Sequence, residues 1–299
     1  MNEWVAIALR FGVYLDLMLL FGLAAYPLYS PGRACPASRR GRFLPLALAM
    51  LGTALSIASF IVMTASMAGV PVAALDRETL AFVLQETGHG TAFMVQVLAL
   101  VGLVGLALFG RGARGRWLVA ITAGVALGAL AWTGHAGATE AWPGALHRLA
   151  DMVHLLAAAA WLGALVILLS AVARAGLAVT ELHEALRTFA FAGSAIVALI
   201  VVTGIVNSVM IVGLAGLPLL PDTLYGQLLI AKLALFALML VLASLNRWRL
   251  TPRLGRRRAS GAVQREMSAV RTSIALEAGA VIMILALVAW LGTLAPPAP

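Results

Sequence analysis

The sequence predicts an all-α, polytopic membrane protein with eight transmembrane helices and both termini outside the cell membrane. Three observations carry that expectation. Hydrophobic residues make up 62% of the 299 residues, charged residues only 11%, and the mean hydropathy is +1.00. A soluble domain carries about a quarter charged residues, so no single soluble core could bury this much apolar surface. Eight apolar stretches are each long enough to cross a bilayer, which takes about 20 helical residues. The loops between them alternate sharply in positive charge.

The first stretch, near 4–29, lacks a basic leader, carries Glu3 early and outruns a signal-peptide core, so it reads as a span rather than a cleaved leader. The others lie near 43–68, 90–110, 117–134, 146–172, 188–213, 224–246 and 270–294. None shows the short alternating pattern of a membrane strand, and a helix satisfies its backbone internally in lipid. The spans divide into a four-helix half at 1–134 and a second at 135–299 within one membrane domain. Gly124 and Gly128 on the fourth span permit close packing.

The odd-numbered loops hold 17 of the 21 basic residues, among them Arg33, Arg39, Arg40 and Arg42 in the first and Arg247, Arg249, Arg253 and Arg256 to Arg258 in the seventh. The even loops hold only Arg77 and Arg148. The positive-inside rule puts the odd loops in the cytoplasm and both termini outside. The net charge of +9 is therefore a topology signal, and a nucleic-acid partner drops out. A lone cysteine, Cys35 in the first loop, excludes an intrachain disulfide. Two outer loops are more than connectors: Asp76 to Glu86 is acidic and partly amphipathic, suited to the membrane surface, and Trp142 with Pro143 suits an interfacial anchor.

Four of five histidines, His89, His135, His147 and His154, fall in the outer half of this arrangement. In the run HRLADMVH, helical spacing puts His147, Asp151 and His154 on one face. Neutral imidazole ligates copper, zinc and iron, and a neighbouring carboxylate ligates or orients it. Met63 and Met67, four residues apart at the outer end of the second span, add thioethers suited to Cu(I). Each feature also has a plain structural reading: methionine as packing, histidine as a hydrogen-bonded interfacial group. Deeper in the apolar runs stand Asp16, Asn207, Lys232 and Glu277, with Thr203 one turn before Asn207. Two readings stay open for them, a set of structural ion pairs and interhelical hydrogen bonds, or a polar path across the membrane.

The chain also resembles a known family. VTGIVNSVM at 202–210, LYGQLLIAKLALFALMLVLASLNRWRLTPRL at 224–254 and VRTSIALEAGAVIMILALVAWLGTLAPP at 270–297 are similar to the copper resistance protein D family, as is HLLAAAAWLGALVIL at 154–168. The resemblance spans roughly 135–297, while the first four spans match in layout. Tyr225, Gly226, Lys232, Asn246, Arg247 and Glu277 fall in the matching motifs. It implies a multi-pass protein of the bacterial inner membrane, concerned with copper, Cu(I) or Cu(II), in uptake or resistance and often beside a small periplasmic copper-binding protein.

The leading expectation is a non-enzymatic copper transport or homeostasis protein that takes copper from the periplasmic side through a His/Met/Asp site. A b-type haem redox protein and a non-transporting copper-binding platform for a periplasmic carrier are the alternatives. No Walker A run is present, which argues against an ATP-driven pump.

Overall fold

The computed structural model describes residues 3–30, 40–110, 112–134, 141–173, 179–256 and 263–297, and they are almost wholly helical. Membrane-length helices are α1 (Glu3–Tyr29), α2 (Arg40–Met67), α4 (Gly88–Phe109), α5 (Gly112–Gly128), α6 (Ala141–Ala173), α7 (Val179–Val212), α8 (Leu224–Leu245) and α10 (Val263–Leu291). Two short helices, α3 (Arg77–Glu86) and α9 (Thr251–Arg256), complete the set. Among the described residues, eight helical segments are long and apolar enough to cross a membrane, as expected from hydropathy.

The spans begin where local chemistry permits. Thr87 caps α4 by accepting from the Gly90 amide at 3.0 Å, and Thr223 caps α8 by accepting from Gly226 at 3.1 Å. Asp76 does the same for α3, accepting from the Thr79 amide at 2.7 Å. That bond holds the Asp76 carboxyl below its usual range. At the end of α2, Gly69 adopts φ +68° and lets the Val70 amide reach back to the Ala65 carbonyl at 3.0 Å. Only a residue without a Cβ takes that left-handed turn cheaply.

Several helices outrun their apolar stretches. The sixth starts at Ala141, the seventh at Val179 and the last at Val263, each several residues ahead of the hydropathic boundary. A helix does not stop where lipid stops, because its backbone hydrogen bonds continue in water. The extension of α7 carries the exposed Glu184–Arg187 pair at 3.6 Å, a contact of water-facing surface. Two departures were not visible in the pattern. The fourth span tightens into a 3₁₀ turn at Ala129–Trp132, and the seventh runs through a π-helical turn at Asn246–Leu250 into α9.

Two helices, α1 and α6, form the centre. They pack against each other, with α2 and α5 on α1, α4 against α2 and α5, α7 on α6, and α10 joining α1, α6 and α8. The contact between them is close enough that a Cβ on Gly22 would lie 2.9 Å from the Gly163 Cα. Of the apolar window of α6, 67% is buried, against 11% for α8. The sixth helix is thus the axis of the bundle, and α8 is a peripheral helix whose apolar face suits lipid. Gly124 and Gly128 do pack closely, against Phe21 of α1 and Met152 of α6.

Candidate functional site

Both chain ends lie at one end of the bundle. Trp4 and Trp290 meet with tilted rings 5.8 Å apart, and Arg10 donates to the Gly292 carbonyl at 2.7 Å. This terminal end is opposite the one that carries Arg187, Arg247, Arg249 and Arg253. Arg10 also hydrogen-bonds Tyr14 one turn along, and its charge reaches His89 and Asp151. An arginine in the first span was legible in the sequence; its role in tying α1 to the end of α10 was not.

Facing Arg10, α6 brings His147, Asp151 and His154 along one side of the central helix. His147 is 1% exposed and engaged with its surroundings. Asp151 Oδ1 accepts from Asn207 Nδ2 on α7 at 3.1 Å. One turn deeper, His154 Nδ1 lies 3.0 Å from Thr203 Oγ1. Thr203 spends its single hydroxyl hydrogen on the Leu199 carbonyl at 2.5 Å. Its oxygen is therefore placed to accept from His154 Nδ1, and the imidazole also hydrogen-bonds the Ile200 backbone. Between the two α7 partners, Gly204 leaves room for the ring: a Cβ there would sit 3.3 Å from His154 Cε1. The triplet Thr203, Gly204 and Asn207 is thus the face of α7 that positions the α6 pair. Lys232 on α8 is half-buried, and its charge reaches both Asp151 and His154.

The remaining predicted residues fall elsewhere. His89 opens α4, stacks on Phe60 of α2 at 5.6 Å, and has both ring nitrogens buried without a hydrogen-bond partner. Met63 is half-buried on α2, and Met67 is 55% exposed at its end. His135 and Cys35 lie outside the described residues. Among the described residues no three of His, Cys, Asp and Glu converge closely enough to form a ready metal site. The α6 face and His89 approach Arg10 from two sides without meeting.

Nor do the four deep polar residues form one line. Asn207 and Lys232 belong with Asp151 at the terminal end. Asp16 is buried against Gly52 of α2 with both carboxylate oxygens unpartnered. Glu277 is 2% exposed, on the arginine side of α10, and accepts from Asn246 of the π turn. Asn246 as its partner was beyond sequence reasoning, because helix rotation there depends on the π turn.

Comparisons with known proteins place this arrangement. Residues 1–145 match the family model described as copper resistance protein D-like, N-terminal domain, and residues 183–291 match copper resistance protein D. The chain is 38% identical to copper resistance protein D of Pseudomonas syringae pv. tomato, over 99% of this chain and 98% of that protein. It is 30% identical to inner membrane protein YebZ of Escherichia coli K12, over 83% of this chain and 85% of that one. No solved structure matches it. With these relatives and eight membrane-length helices, the chain is a multi-pass inner-membrane protein and belongs to the copper resistance protein D family.

Proposed function

We propose that this protein receives copper at the terminal end of the bundle, on His154 and Asp151, and passes it into the membrane domain as a transporter. The observation that carries this reading is the pinned histidine. Thr203 and the Ile200 backbone hold the His154 imidazole, and Asn207 holds the adjacent carboxylate one turn away on the same face. An imidazole oriented through its other nitrogen is the usual arrangement of a histidine ligand. The arginine asymmetry supports placing this end on the periplasmic side, where copper arrives, either free or from a periplasmic copper-binding protein.

The donors on α6 are nitrogen and oxygen, a set that suits Cu(II) better than the thioether set the methionines would supply. Met67 is 55% exposed at the end of α2, and Met63 lies on that helix one turn from Phe60, on which His89 stacks. Since the donors do not yet converge, copper would draw His147 and His89 toward the α6 pair as it binds. Lys232 stands at the same end: its ammonium form weakens cation binding near the site and favours release, which conduction requires.

Purified protein titrated with Cu(II) and Cu(I), together with copper uptake into sealed proteoliposomes, tests this. His154→Ala is expected to lower both affinity and uptake by more than about tenfold, the scale of losing an oriented ligand. Normal binding and uptake by that variant would end the assignment. A second reading, a binding platform that does not transport, has one observation in its favour: the cavity at the arginine end is lined by Glu277 and Asn246 but by no His, Cys or Met. Binding without uptake would select it.

A further inference from the structure

The arginine end contains a cavity that the copper site does not use. It has a volume of about 270 Å³ and lies between α6, α7, the end of α8 with its π turn, and α10. The cavity exists because α7 packs against the π turn and α9 rather than along α8. Its walls are mainly apolar, from Trp161, Leu165 and Leu168 of α6, Phe189 of α7, Leu240 of α8 and Ile274 of α10. At its polar edge stand Glu277, Asn246, Ser194 and Arg247.

We propose that Glu277 and Asn246 form a proton-binding site that opens through this cavity to the arginine end. Glu277 is 2% exposed, and Asn246 Nδ2 is the donor it accepts from. The nearby cation is committed elsewhere: Arg247 Nη1 donates to the Ala190 carbonyl at 2.6 Å and to Ser194 Oγ. A carboxylate among apolar walls with one neutral donor is costly to keep ionised. Taking up a proton removes that charge.

Asn246 is suited to serve both states. Its Oδ1 is buried without a partner while Nδ2 faces the carboxylate. When Glu277 is ionised, Nδ2–H donates to it. When Glu277 is protonated, half a turn of the amide lets Oδ1 accept from the new O–H, and the orphaned acceptor gains its bond. The residue sits at the first position of the π turn, a backbone irregularity often found at functional sites.

The proton chemistry is simple. One proton from the aqueous phase at the arginine end, delivered as hydronium, forms an O–H bond on a Glu277 oxygen and leaves neutral water behind; the side chain goes from one negative charge to none, and release reverses this. No other titratable group faces Glu277 among the described lining residues. From α6 come Trp161, Leu165 and Leu168, from α7 Phe189 and Ser194, from α8 Leu240 and Ser244, and from α9 Thr251. The π turn adds Arg247, pinned to α7 as described. On α1, Asp16 faces α2 and Tyr29 donates to Ala160 of α6.

This inference deepens the transport reading and rests on it for its purpose, which is exchange of protons against copper. Two measurements separate the two claims. Difference infrared spectra of the purified protein in lipid discs, recorded across a pH titration, read the C=O band of a protonated carboxyl group. Wild type is expected to gain a band that Glu277→Gln lacks, with copper binding at the terminal end unchanged in the variant. Asn246→Leu, which removes both halves of the amide, is expected to move the band's midpoint by about one pH unit or more. Identical titrations in wild type and Glu277→Gln would overturn the site. In proteoliposomes, copper uptake should depend on internal pH in wild type and lose that dependence in Glu277→Gln; uptake equally pH-dependent in both would overturn the coupling. A titrating Glu277 band in a protein that binds copper but does not move it would uphold the proton site and reject the transport reading.

Discussion

Thr203→Val isolates the feature on which the proposed copper site depends. Valine keeps the shape of threonine and removes only the oxygen that accepts from His154 Nδ1 at 3.0 Å. The imidazole then keeps only the Ile200 backbone as a partner, and losing one hydrogen bond costs about 0.5–1.5 kcal/mol. The cost falls on the ring placement that presents His154 to the metal. At about 1.4 kcal/mol per factor of ten, copper affinity should fall roughly 2- to 12-fold. Competition against a chromophoric copper chelator reads that change directly on purified protein. Thr203→Ser restores the oxygen and should stay within about twofold of wild type, since one hydrogen bond is kept. Thermal unfolding in detergent, run in parallel, separates lost affinity from lost structure. If Thr203→Val bound copper as tightly as wild type while His154→Ala did not, the positioning argument would be refuted and His154 would act without Thr203.

Other perturbations probe the frame. Gly163→Val drives a side chain into the Gly22 backbone, and overpacking against a backbone that cannot yield should cost about 3 kcal/mol or more, measured by unfolding in detergent. Gly279→Ala, where an added Cβ meets nothing within 4 Å, should be neutral or stabilising by up to about 1 kcal/mol in the same assay; equal losses at both glycines would contradict the packing described. Asp76 has a depressed pKa, so its contribution to α3 is present above the ordinary carboxylate value of about 3.9 and is lost as pH falls through the lower folded value. Hydrogen exchange at the α3 amides should therefore speed up on acidification beyond the intrinsic rate in wild type, and show no such added dependence in Asp76→Ala.

Fold and site differed in how far they could be read from the chain. Hydropathy located all eight spans because each must supply apolar surface over a fixed thickness, a requirement local in sequence. Helix ends were missed at Ala141, Val179 and Val263, since the water-side continuation of a helix leaves no apolar trace. Helical spacing alone put His147, Asp151 and His154 on one side of α6, and put Thr203 with Asn207 on one side of α7. That these two faces meet is a property of packing, decided by Gly204 and by the central place of α6, and no local pattern encodes it. The same limit explains why Asp16 and Glu277, both acidic residues in apolar runs, turned out to have unrelated surroundings. One faces a glycine on a neighbouring helix, the other an asparagine aimed by a π turn.

The sixth helix has a further consequence. It is one uninterrupted rod of 33 residues, about 50 Å long. His154 lies on one side of its contact with Gly22, and the cavity wall at Leu165 and Leu168 lies on the other. At Gly163 the two backbones touch with no side chain between them. One rod thus carries residues of both ends of the bundle, and it is clamped to α1 between them at a contact where any residue larger than glycine would meet backbone.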